Sequence, residues 1–194
     1  LLFSFVVKRK FADDGAEALA TVKIDRESDV PPLDQIYGQV KKYVYSVRKS
    51  DKNDSTTDKM NLLLIMPRPI LRFAMRVLRW LEYHGRYPKA LMYDDPYYSS
   101  VFLSNLGSIK MSADYHHLAN WGTNSIFVII GEMKPTPFYA ADGSVSVREA
   151  LKLSLTIDER IADGFYFANS IKILKKLFEC PELIERPLNE PIEL

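Results

Sequence analysis

"LTIDERIADGFYFANSIKILKKLFEC", residues 155–180, changes its period part-way through. Upstream and into its first residues, Leu151, Leu153, Leu155 and Ile157 alternate with polar positions, the two-residue repeat of a strand with one buried face. From Phe167 onward, Ile171, Leu174 and Phe178 recur at steps of three and four, the stripe of a helix that stops at Cys180-Pro181, because the residue before a proline avoids helical dihedrals. Between the two lies DERIADG (158–164), with Asp158, Glu159, Arg160 and Asp163 inside six positions. If the strand runs on to 158 and beyond, Glu159 continues the inward series of Leu155 and Ile157.

Working outward, "FYAADGSVSVREALKLSLTID" (138–158) reads as a hairpin turning on Asp142-Gly143, and "SSVFLSNLGS" (99–108) and "NSIFVIIGEM" (124–133) are short apolar runs with a glycine near the end. At the other end of the chain, "FSFVVKRKF" (3–11) and "AEALATVKIDR" (16–26) flank the turn ADDG (12–15) as a second hairpin. "VPPLDQIYGQVKKYVYSVRKS" (30–50) starts on prolines and carries Leu33, Ile36, Val40, Val44 and Val47 at helical spacing. The expected strands are 3–11, 17–25, 101–105, 125–131 and 151–158, with helices over 32–49 and 164–179. That order points to an α/β fold, a two-layer sandwich with the helices on one side of a mixed sheet.

"MNLLLIMPRPILRFAMRVLRWLEYHGRYP" (60–88) is helical in pattern but interrupted by Pro67 and Pro69, so it predicts two helices or one kinked helix. Arg68, Arg72, Arg76 and Arg79 fall within about a quarter turn, beside or opposite Leu71, Met75, Leu78 and Leu81. A basic amphipathic helix of this kind binds a membrane surface or anions in some proteins. The expectation here is a docked helix whose arginines reach solvent along its flank or pair with acids.

The 194 residues suit a single domain, 1–194. With 26 basic against 25 acidic side chains there is no overall field to recruit nucleic acid. One cysteine, Cys180, excludes a disulfide framework and suits the cytoplasm; the first ten residues have the wrong order for a signal peptide. No apolar run reaches the roughly 20 residues of a transmembrane helix. The opening directly inside a strand-like run suggests that an N-terminal segment precedes Leu1. The glycine-rich phosphate loops and the CxxC and HExxH metal motifs are missing, so no metal is expected. His116 and His117, if on a strand, face opposite sides and read as structural, and Cys180 reads as a buried thiol.

"FLSNLGS" (102–108) and "LTIDERIADG" (155–164), separated by "NSIFVIIGE" (124–132) and a DG hairpin, resemble the C-terminal half of the catalytic domain of the dihydrolipoyl acyltransferases of 2-oxo acid dehydrogenase complexes. That family shares the fold of chloramphenicol acetyltransferase. Its pattern is roughly IS(S/N)LG followed some fifty residues on by DHRxxDG, and the likeness runs from about Val101 to Leu188 and, more weakly, through the hairpin and helix of the first fifty residues. "YHHLANWGTNSIF" (115–127) is also similar to stand-alone bacterial proteins of this kind.

The resemblance implies three roles. Ser104 stands where the family keeps a hydroxyl that bonds the oxyanion, Asp163 where a side chain orients the site, and Glu159 where the family has its catalytic histidine. It further implies acyl transfer from acyl-coenzyme A to a small acceptor, and a homotrimer whose substrates meet in a channel at the subunit interface. No lipoyl domain is recognisable. A glutamate is a weaker base than histidine unless it is buried and dry, so a non-catalytic trimeric scaffold or ligand-binding descendant is the alternative. Pairing of Glu159 with Arg160 or another arginine is the plainest reading of that charge.

Overall fold

The computed structural model describes residues 1–8, 17–49, 65–93 and 95–188. Five strands form one mixed sheet in the order β2-β1-β3-β4-β5: β1 Leu2–Lys8, β2 Glu17–Lys23, β3 Val101–Asn105, β4 Ile126–Tyr139 and β5 Val145–Ile157. The outer pairs β1–β2 and β4–β5 are antiparallel, whereas β3 runs parallel to both its neighbours. The expected α/β sandwich is therefore observed, with the hairpin on Asp142-Gly143 in place. The strand expected at 125–131 extends to Tyr139, and β5 begins at Val145 rather than 151, so the last hairpin is twice as long as its apolar segments suggested. Its far half carries no continuous apolar run because it lies beyond the core: Met133, Tyr139, Val145 and Val147 are exposed. The upper part of the first predicted strand and the turn ADDG fall outside the described residues.

Register assigns each face its load. Phe3, Phe5 and Val7 on β1 and Ala18, Ala20 and Val22 on β2 point the same way and pack under helix α1 (Pro32–Lys49) through Val47, Ile36, Val40 and Val44. Leu33, expected on that stripe, is half exposed at the helix start. Two glutamines of α1 cover the edge strand. Gln39 donates to the Lys23 carbonyl at 2.8 Å and accepts from its N–H at 3.3 Å, while Gln35 accepts from Asp25 N–H at 2.9 Å. An edge that would otherwise present bare backbone groups is thus occupied by amides of the same chain.

The opposite face holds a second core of Phe102, Phe127, Ile129 and Ala113, covered by the connection from Lys110 to Ser125. The Phe102 and Phe127 rings stack at 4.9 Å, and His116 lies on Phe127 at 3.9 Å. This corrects the strand assumed for His116 and His117. The segment pairs with no strand, so the alternation rule does not apply, and the two rings stack on each other at 5.3 Å. Ser154 and Thr156 of β5 donate to the Ala113 and His116 carbonyls at 3.0 and 2.6 Å, which holds the connection down without a ladder.

Helix α2 (Arg68–Tyr83) starts behind Pro67 with Pro69 in its first turn; its upstream neighbour at 60–64 lies outside the described residues. A short helix α3 (Lys89–Met92) follows, and α4 (Gly164–Glu179) closes the fold at Cys180, which is half-buried rather than enclosed. The stripe predicted on α4 is only partly covered: Phe167 and Leu174 are half-buried while Phe178 is exposed.

Candidate functional site

β5 ends at Ile157, and the next residues turn. Asp158 N–H donates to the Ser125 carbonyl at 2.9 Å, and Ile161 N–H returns to the Asp158 carbonyl at 3.2 Å. The inward parity assumed for Glu159 therefore fails, because the pleat stops two residues before it; Glu159 is exposed. Its carboxylate has no hydrogen-bond or ion-pair partner among the described residues. Arg160 does not pair with it either. The guanidinium instead grips Asp158, with Nε at 2.8 and 3.0 Å and one terminal nitrogen at 2.6 Å, and Arg160 N–H adds a bond to the same carboxylate at 3.0 Å. The Arg160 side chain, then its backbone N–H, hold the Asp158 carboxyl below the usual carboxylate range. Asp163 sits at the N-cap of α4, where its side chain accepts from Tyr166 N–H at 2.9 Å.

Ser104 lies on β3 in the face that carries Phe102, half-buried, and its hydroxyl makes no hydrogen bond among the described residues. The glycine after it has a steric reason. A Cβ on Gly107 would lie 2.4 Å from the Gly131 carbonyl, so the turn Leu106–Ile109 can press against β4 only without a side chain there.

Ser104 and Glu159 are not brought together within the chain. Ser104 pairs with Ile129, and Ile129 with Ser154, so Glu159 lies five residues farther along and two strands across. At about 3.3 Å per residue and 4.8 Å between strands the two are roughly 15–20 Å apart, Ser104 toward the C-terminal end of β3 and Glu159 beyond the level of its N-terminal end.

Beside the 158–161 turn, an open cavity of about 670 Å³ is lined by Arg79, Glu82 and Tyr83 of α2, by Trp121 and Gly122, and by Arg160. Sequence reading missed its organiser, Glu82. That carboxylate accepts from the Tyr98 hydroxyl at 2.9 Å and from Gly122 N–H at 2.7 Å. Burial, then the bond to Glu82, push the Tyr98 phenol well above its ordinary value. Burial also raises Tyr87, with Asp95 and Glu82 adding to it. Asp95 in turn accepts from the Trp121 indole at 2.7 Å. Gly122 has φ of 79°, and a Cβ there would meet the Tyr97 carbonyl at 2.3 Å. The sole sequence signal was the glycine in WGTN (121–124), which is too common a residue to single out.

No group of three His, Cys, Asp or Glu side chains converges as metal ligands must among the described residues.

The profile of the 2-oxoacid dehydrogenases acyltransferase (catalytic domain) family matches residues 88–185, just over half of the chain, and takes in Ser104, the long hairpin and the DERIADG turn. The chain belongs to that family. Among solved acyltransferase structures, it is similar to the dihydrolipoamide acetyltransferase of Azotobacter vinelandii, with 16% identity and a TM-score of 0.55 over 95% of this chain and 56% of that one. The cubic core of a pyruvate dehydrogenase multienzyme complex gives 15% and 0.53 over 95% and 56%. A probable dihydrolipoamide acetyltransferase of Listeria monocytogenes 4b F2365 gives 14% and 0.50 over 99% and 60%. At such identities the likeness is one of fold, and the chain spans little more than half the length of these acyltransferases. No curated protein matches it.

Proposed function

We propose that this chain is a coenzyme A-dependent acyltransferase whose site is completed between copies, Ser104 coming from one and Glu159 from the next. The observation that carries this is the sheet register. Both residues are accessible, yet they stand roughly 15–20 Å apart along and across one sheet, so a ring of copies is the arrangement that lets one meet the other. Exposed apolar side chains on the long hairpin and α4, among them Met133, Val147 and Phe178, support burial against another copy in a homotrimer. The Azotobacter enzyme uses a serine, a histidine and an asparagine in its catalytic mechanism, the last two four positions apart. Glu159 and Asp163 have that spacing here.

In this reading the acceptor gives its proton to Glu159 as it attacks the thioester carbonyl of acyl-coenzyme A. Ser104 donates to the resulting oxyanion. Collapse breaks the C–S bond, and the departing thiolate recovers the proton from Glu159. Glu159 must be desolvated by the neighbouring copy to serve as base, because in one protomer it stands in water.

The test is release of free coenzyme A from acetyl-coenzyme A with dihydrolipoamide as acceptor. Ser104→Ala should cost roughly 10²–10³ in rate, and Glu159→Gln roughly 10²–10⁴. When the two inactive variants are unfolded together and reassembled in equal amounts, about a quarter of the interfaces pair an intact Ser104 with an intact Glu159. Activity should return to about that fraction. The exposed, unpartnered Glu159 favours one second reading, a non-catalytic ligand-binding scaffold. Absence of turnover in a correctly assembled wild type, with Glu159→His creating activity, would establish it.

A further inference from the structure

Helix α2 carries an apolar face that is left exposed among the described residues. Leu71, Ala74, Met75, Leu78 and Glu82 are its half-buried side. On the outer side, Ile70, Phe73, Val77 and Trp80 fall within about 80° of one another around the axis. All four are exposed, Phe73 by 68% and Trp80 by 54%. The neighbouring sector holds Arg68, Arg72, Arg76 and Arg79, also exposed and without an ion-pair or hydrogen-bond partner among the described residues. The single acid of the helix, Glu82, points inward and is taken by Tyr98 and Gly122.

We propose that this outer face of α2 docks on an anionic phospholipid bilayer. A bilayer of that kind supplies both chemistries the helix presents. Hydrocarbon just beneath the headgroups receives Ile70, Phe73 and Val77, and lipid phosphates receive the four guanidiniums lying alongside. Trp80 and the adjoining Tyr83 are rings of the type that settle at headgroup depth. A second copy is the other occupant to weigh. Self-pairing through this face would bring two sets of four guanidiniums together with no carboxylate from either helix to offset them. The net charge of the chain is only +1, so the attraction is local to α2 and is screened within a Debye length. This inference is independent of whether the protein turns over a substrate.

Sedimentation with phosphatidylcholine vesicles containing about 30% phosphatidylserine tests it, against vesicles of phosphatidylcholine alone. The full chain should bind the anionic vesicles, lose them as salt rises well above about 0.1 M, and bind the neutral ones at least tenfold more weakly. Arg72→Gln and Arg76→Gln should each lower partitioning about five-fold, and Phe73→Ser with Trp80→Ser should abolish it. In a Trp121→Phe background, Trp80 emission should shift to shorter wavelength on binding. Equal binding to both vesicle types, or none, overturns the proposal. So does a fall in mass by light scattering in the Phe73→Ser/Trp80→Ser variant, which would show that another copy covers the face.

Discussion

Asp163 is tied up as a helix cap, and that sets what its removal should do. Asp163→Ala leaves the Tyr166 N–H and its neighbours at the start of α4 without an acceptor, and should cost about 1 kcal/mol by urea unfolding, whereas Asp163→Asn should restore most of it. A loss of activity in the Asn variant at normal stability would separate a role in the site from the cap. Asp158 makes a pH prediction. Its folded carboxyl is held below its unfolded value, so the Arg160 pair contributes fully above the usual carboxylate pKa near 4 and is lost as pH falls through the lowered folded value. Carboxyl titration by NMR should place Asp158 below the usual carboxylate range, and Arg160→Gln should raise it, though not fully, since the backbone N–H of residue 160 still donates. Glu159 shows where sequence reading stops. A two-residue repeat assigns a face only while backbone pairing lasts, and nothing in TIDER says that pairing ends at Ile157. Nor does spacing decide that Arg160 turns back two residues to Asp158, since that choice depends on where the turn aims both side chains.

Helices and strands were legible where their apolar period was set by a core, and blurred where it was not. α1 and the buried parts of β1 to β4 follow their patterns because each presents one face to a packed layer. The far half of the hairpin is legible at its turn, Asp142-Gly143, but not in the extent of its strands, because neither face is covered there, which leaves no contrast to read. The connection from Lys110 to Ser125 is held by hydroxyl-to-carbonyl bonds and ring stacking, and neither has a sequence period. α2 is attached through Glu82, a single carboxylate shared between Tyr98 and the 119–123 segment. Glu82→Ala should therefore destabilise the protein by about 2–3 kcal/mol, more than any one arginine of that helix, since hydrogen bonds to a charged acceptor are lost and two donors are left unpaired. Alkaline titration by tyrosine absorbance should show Tyr98 and Tyr87 ionising late, and in this variant Tyr98 should move back toward the ordinary phenols, because the bond to Glu82 is gone while its burial remains.

For the whole molecule, light scattering should give about three times the chain mass, and a protein that remains a monomer at micromolar concentration would defeat both the trimer and the shared site. Fold class was readable from the alternation of periods together with two short motifs. The separation of Ser104 from Glu159 was not, because it follows from strand direction and register, which no single segment encodes. The same topology bears on how the chain comes off the ribosome. β1 pairs with β3, Phe3 beside Val101, about a hundred residues later. At roughly 5–20 residues per second the first hairpin waits about 5–20 s with one edge unsatisfied before its parallel partner is made. During that wait it can pair with another nascent chain, so translation speed and chaperone supply, more than equilibrium stability, should govern the yield of native protein.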